Sequence, residues 1–159
     1  MLLLTIVCDE GRDGVGLDRL AYYDFFADAP FLVFGDDTAQ RRQLVLAGFS
    51  KTNLSYHSAA QRFANRRARL QHDLSLLAAR GLIAPRQASG RVTWVTTDDG
   101  TRVAGQLRSM YALAFRESAA LVVTKLNKLS DGALERDARR WLKAEPFLID
   151  LVLDAEVAW

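Results

Sequence analysis

Cysteine is almost absent, and Cys8 is the single thiol in 159 residues. A lone thiol closes no internal disulfide, so nothing points to an oxidising compartment. Histidine is confined to His57 and His72. Neither has metal-ligand spacing to the other or to Cys8, which argues against a metal site. The glycines of GRDGVG lack the spacing and the following lysine of a phosphate loop. Ser55, His57 and Asp73 could be imagined as a hydrolytic triad, but no nucleophile-elbow context surrounds them. Apolar runs are short as well. MLLLTIV stops at Cys8, well below the roughly 20 residues that span a membrane. It also lacks the basic start and small-residue cleavage site of a signal peptide. These absences lead us to expect a cytoplasmic, non-catalytic protein without cofactor or membrane segment.

What is present is ordinary globular material, half hydrophobic and one quarter charged. The length suits one domain over 1–159. The net charge of +2 is unevenly spread. Residues 1–57 carry a net of −3, residues 58–91 a net of +6, and residues 92–159 a net of −1. The central segment owes its charge to seven arginines against one acid.

Leu2–Asp9 reads as a buried helix or strand. Leu17, Leu20, Ala21, Phe25 and Ala29 recur at helical spacing, and Pro30 limits that helix, predicted over Leu17 to Asp28. Residues 31–57 show no long period and read as a connection, with one helical turn near Gln40 to Leu46. Ser58 and Gln61 form a capping box at the start of a long helix, Ala59 to Arg80, which Gly81 ends. Phe63, Leu70, Leu74 and Leu77 are its apolar stripe. Leu82 to Arg86 and Arg91 to Thr96 read as strands around an ASG turn, with Val92, Trp94 and Thr96 alternating against Thr93 and Val95. Thr97 caps a helix running to about Phe115, with Asp98 and Asp99 in its first turn. Further helices are expected over Ala119 to Leu129, Asp131 to Lys143 and Phe147 to Val157. Pro146 marks the last junction.

This order predicts an α+β, mainly helical chain. A winged helix would occupy about 1–115 and additional C-terminal helices about 116–159. Within it, the arginines are the candidate site. Arg62, Arg66, Arg69 and Arg80 share a helical face, with Arg67 at its flank and Arg86 and Arg91 on the hairpin. Arginine forks suit phosphate, so the face could meet DNA. It could equally pair with the acidic N-terminal region or with an acidic protein. Asp24, at the edge of the apolar stripe of its helix, needs a partner. Arg67 or Arg69 is the structural choice and a protein partner the functional one. Tyr22, Tyr23, Phe25 and Phe26 exceed what one helical face buries. Either the helix is buried all round, or Tyr22, Tyr23 and Phe26, together with Trp159, form a partner interface.

LDRLAYYDFF, then SAAQRFANRRARLQHDLSLLAARGLI and the helical tail, resemble the middle components of bacterial ABC three-component systems. The anchors are Leu17-Asp18-Arg19-Leu20, Tyr23-Asp24 and Arg66-Arg67-Ala68-Arg69-Leu70, and the resemblance spans most of residues 17 to 142. It implies a winged-helix adaptor encoded with an ATPase related to the structural maintenance of chromosomes (SMC) family and with an effector, as in Lamassu-type antiphage defence. A winged-helix transcriptional regulator of the MarR or PadR kind is the alternative.

Overall fold

The computed structural model describes residues 1–9, 14–35, 38–50, 58–88 and 90–142. Their order is α1 (Leu2–Asp9), α2 (Leu17–Asp28), a 3-10 turn (Pro30–Leu32), α3 (Ala39–Leu46), α4 (Ala59–Ala79), β1 (Ile83–Ala88), β2 (Arg91–Thr96), α5 (Asp98–Gln106), α6 (Met110–Leu126) and α7 (Asp131–Leu142). The described residues are therefore mainly helical, with one small antiparallel sheet among them.

Local chemistry sets most boundaries. Pro30 opens the 3-10 turn just after α2. Thr38 caps α3 by accepting from the Arg41 amide at 3.2 Å, so the connection holds two helical turns where one was expected. Ser58 accepts from the Gln61 amide at 3.2 Å, while the Gln61 side chain donates forward to Asn65 at 3.1 Å. At the far end of α4, Gly81 takes φ +69°. The Gly81 and Leu82 amides then donate back to Ala78 O and Leu77 O, the paired bonds of a Schellman stop.

Gly100 is required by close approach. A Cβ there would lie 1.9 Å from the Leu82 carbonyl oxygen. Thr97 fastens the same corner, accepting from the Gly100 amide at 3.0 Å and donating to Gly81 O at 2.7 Å. The end of α4 and the start of α5 are thus tied across the base of the hairpin.

β1 and β2 pair from Ile83 opposite Thr96 to Ala88 opposite Arg91. Val15 adds a single antiparallel rung to the other edge of β2, exchanging amide bonds with Trp94 at 3.1 and 2.9 Å. The expected clean alternation along β2 is absent. Val92 is exposed, and Thr93 through Thr96 are all partly covered, because Val15 and α1 lie against one part of the strand and solvent against the other.

α6 is the axis of the core. Ala119, Val122, Val123 and Leu126 on it are fully buried, as are Tyr23 and Phe26 on α2. Ser118 donates to Ala27 O at 2.7 Å, and the Arg19 guanidinium reaches Leu126 O at 3.2 Å, so α2 runs antiparallel to α6. The helix expected from Thr97 to Phe115 breaks earlier. Leu107 is extended, and Ser109 caps a new helix by accepting from Ala112. Residues 115 and 116 both lie inside α6, which packs against α2. The expected helix over Phe147 to Val157 lies outside the described residues.

Candidate functional site

Arg19 is the buried centre of the α2–α6–α7 junction, with 7% of its surface exposed. Its Nε donates to Asp131 at 2.7 Å, Nη1 to Tyr23 Oη at 3.1 Å and Leu126 O at 3.2 Å, and Nη2 to Leu129 O at 2.8 Å. The Tyr23 hydroxyl in turn donates a hydrogen bond to Asn127 Oδ1 at 2.5 Å. A helix end presents carbonyls without intrahelical partners, and here one guanidinium reaches Leu126 O, which also accepts from the Leu129 amide, and Leu129 O in the turn beyond α6, while holding the first residue of α7. The charge stays buried because all its donor directions are used.

The α2–α4 seam carries the second cluster. Arg66 grips Asp24 through both Nε and Nη2, and its Nη1 reaches Asp28 at 3.0 Å. Burial disfavours the Arg66 charge, but the hydrogen bond and charge of Asp24, with Asp28, outweigh that and leave its pKa raised. Tyr111 lies at the same spot, its phenol pushed up by burial and by the Asp28 carboxylate. Arg67 pairs with Asp18 at 2.6 Å. Arg62 lies over the Phe25 ring at 5.8 Å, with its Nε buried and unpartnered.

The structure therefore divides the expected arginine face. Asp24 is an internal ion-pair residue, and its partner is Arg66, not Arg67 or Arg69. Arg62 and Arg66 turn into the seam, because α2 offers Phe25, Asp24 and Asp28 opposite them. Arg69, Arg80, Arg86 and Arg91 remain exposed. Arg91 borders an open groove of about 860 Å³ between the start of α2, the hairpin and the start of α7. Its lining mixes Arg67 and Arg91 with Asp18, Asp131 and Glu135, a surface without one dominant sign.

The aromatic expectation also needs correction. Tyr23 and Phe26 are fully buried in this chain and form no exposed patch. Phe26 meets Trp141 edge to face at 5.3 Å, and the half-buried Tyr22 stacks on Phe63 at 5.2 Å. Of the two readings of α2, burial nearly all round is the observed one. Trp159 lies outside the described residues.

Sequence reasoning missed the exposed apolar side chains, which are elsewhere. Leu46 is 88% exposed, Met110 83% and Tyr111 67%, with Val45 and Leu113 beside them in sequence. Their one visible signal was the adjacent Val45-Leu46 pair on a helix otherwise rich in arginine and glutamine. Among the described residues no helix is long and apolar enough to cross a membrane, and no three His, Cys, Asp or Glu side chains gather as a metal site.

The family model of the ABC-three component (ABC-3C) system Middle Component 2 matches residues 1–145. The chain belongs to that family. No curated protein and no solved structure matches it. As a middle component it is one part of a multi-component system, so its partners include proteins and its position suggests an adaptor role. The two internal clusters serve that middle component as frame.

Proposed function

We propose that the chain is a non-catalytic adaptor that bridges an SMC-like ATPase and an effector in a bacterial antiphage defence complex of the Lamassu type. Family membership carries this reading. The exposed Leu46 and Met110 support it, as large apolar side chains that a protein partner would cover. The middle component supplies geometry and affinity in the cytoplasm, and the chemistry belongs to its partners. The element order also favours a winged helix. α1, the Val15 rung, α2, the long α4 and the β1–β2 hairpin follow one another as that fold requires, with α3 inserted before α4.

The test is assembly. ATPase, effector and middle component are co-expressed and separated by size. The proposal expects the ATPase and effector to co-elute only when the middle component is present. ATPase and effector that associate equally well without it sink the bridging role.

A second reading, a DNA-binding regulator of the MarR or PadR kind, draws on the exposed Arg69, Arg80, Arg86 and Arg91. Arginines without a matching set of base-reading amides favour phosphate contacts. Binding by this route is weak and loses close to 0.9 in log K per neutralised phosphate for each decade of salt. Tight binding of a pure dimer to one palindrome would favour the regulator over the adaptor.

A further inference from the structure

Pro85 and the Val15 rung together fix which way β2 points its main chain. Pro85 has no amide proton and stands opposite Trp94, so that pair exchanges no bonds across the hairpin. Trp94 spends its amide and carbonyl on Val15 instead, at 2.9 and 3.1 Å. Along an antiparallel strand the bonding direction alternates from residue to residue. Val92, two positions before Trp94, therefore turns its amide and carbonyl to the same outer edge and not to β1. Among the described residues neither group has a partner.

The described chain leaves that edge open. Val15 opposite Trp94 sets a register in which Leu17 would stand opposite Val92. Gly16 is still extended, but Leu17 opens α2, which turns away from the strand. The open groove of about 860 Å³ lies in this gap, with Gly16 and Leu17 on one side and Val92 on the other. Val92 is 60% exposed, and the stacked, half-buried Tyr22 and Phe63 belong to the same lining. Every acid of the groove is already paired with an arginine. Asp18 holds Arg67 at 2.6 Å, Asp131 holds Arg19 at 2.7 Å and Glu135 holds Arg139 at 2.7 Å. Unpaired edge groups template a further strand, and a groove whose acids are neutralised suits uncharged side chains.

We infer that a short extended segment of a partner protein, with apolar, uncharged side chains, adds to β2 at Val92 and lies in this groove. The inference rests on the adaptor reading, which makes that partner the ATPase or the effector. The segment exchanges both main-chain hydrogen bonds with Val92, as Val15 does with Trp94. Its alternate side chains enter the groove against Tyr22 and Phe63. The main-chain bonds give affinity, and the lining selects the side chains.

The test uses the full chain, alone and co-expressed with the ATPase and the effector. Hydrogen exchange of the Val92 amide slows about tenfold on assembly, as the gain of one main-chain hydrogen bond gives. Val92→Pro removes a donor that β1 does not use, so it spares the hairpin and lowers affinity for the partner about tenfold. Val92→Thr keeps the amide and stays within about threefold of the native chain. Exchange in the native sequence decides the matter independently if the proline variant folds poorly. An assembly in which Val92 exchanges as fast as in the free chain overturns the inference and leaves the adaptor reading standing. Val92→Pro in its native fold binding as tightly as the native chain does the same. A chain that joins neither component overturns both. Protection of Val92 in the isolated chain that grows with concentration, together with a dimer mass, assigns the edge to a second copy and overturns the inference as well.

Discussion

Replacing Arg19 by alanine removes donors from several groups at once. Leu126 O and Leu129 O lose their side-chain donor at the end of α6, Tyr23 Oη loses one of its partners, and Asp131 loses its contact to α2. The contributions are unequal. Asp131 is 72% exposed, so screening limits its ion pair to under about 1 kcal/mol. The buried contacts matter more: Leu126 O keeps the Leu129 amide and Tyr23 keeps Asn127, so Leu129 O is the acceptor left without a donor, at about 1–3 kcal/mol, and the emptied volume of the buried Arg19 side chain adds lost packing. Water entering the vacated space offsets part of this, and about 3–4 kcal/mol remains. For a chain of this length that lowers Tm by about 10 °C. Arg19→Lys keeps the charge but not the fork, and falls about halfway. Asp131→Asn lowers Tm by less than about 2 °C. Calorimetric melts and urea unfolding of the three variants measure these differences. An Arg19→Ala chain melting within about 2 °C of the parent refutes the reasoning outright. Asp131→Asn as damaging as Arg19→Ala would show that the ion pair, not carbonyl capture, carries the junction.

Other substitutions test the remaining inferences. Arg66→Glu sets a third carboxylate beside Asp24 and Asp28 and destabilises by about 3–5 kcal/mol, whereas Arg69→Glu and Arg80→Glu stay within about 0.5 kcal/mol in the same urea series. Gly100→Ala drives a methyl into the Leu82 carbonyl and costs about 2–3 kcal/mol, visible as a lowered melt or loss of soluble protein. Phe26→Ala costs about 3–5 kcal/mol by emptying a fully buried site between α2 and α7. Leu46→Glu with Met110→Glu leaves the melt within about 1 °C, since both side chains are exposed, and weakens co-elution with the ATPase and effector if that surface carries assembly.

The parts of the fold legible in the sequence are those fixed by local chemistry. Ser58, Gly81, Thr97 and Pro30 each act within a few residues of themselves, and the α2, α4 and hairpin boundaries follow from them. The break at Leu107 is different. Nothing in GQLRSM forbids helix, and the stop arises because Ser109 competes as a cap and α6 must lie along α2. The burial of Arg66 was hidden for a related reason. It sits at the border between the apolar stripe of α4 and its solvent face, where 3.6-residue periodicity does not decide which way a side chain turns. The deciding fact lies on another helix. Asp24 and Asp28 are four apart on α2, and Arg62 and Arg66 are four apart on α4. Two helices that cross with matched spacing can seat a charged fork between them.

The same comparison bears on where partners attach. The residues that carry the likeness to middle components are largely the ones consumed inside the chain. Asp18 holds Arg67, Arg19 holds Tyr23 and the end of α6, and Asp24 holds Arg66. Arg19, Asp24 and Arg66 are spent on fixing α2 against α4, α6 and α7, whereas the exposed Asp18–Arg67 pair contributes under about 1 kcal/mol. A charge change at these positions therefore acts first on folding. Loss of assembly in such a variant reports the frame and not an interface. Partner choice has to be read from side chains that the frame does not use. Among them are the exposed Leu46 and Met110 on α3 and α6, and Arg80 and Arg86 on the hairpin side. The two groups differ in chemistry, one apolar and one cationic. A variant series that separates them distinguishes a hydrophobic protein contact, which persists as salt rises, from a phosphate contact, which weakens with it.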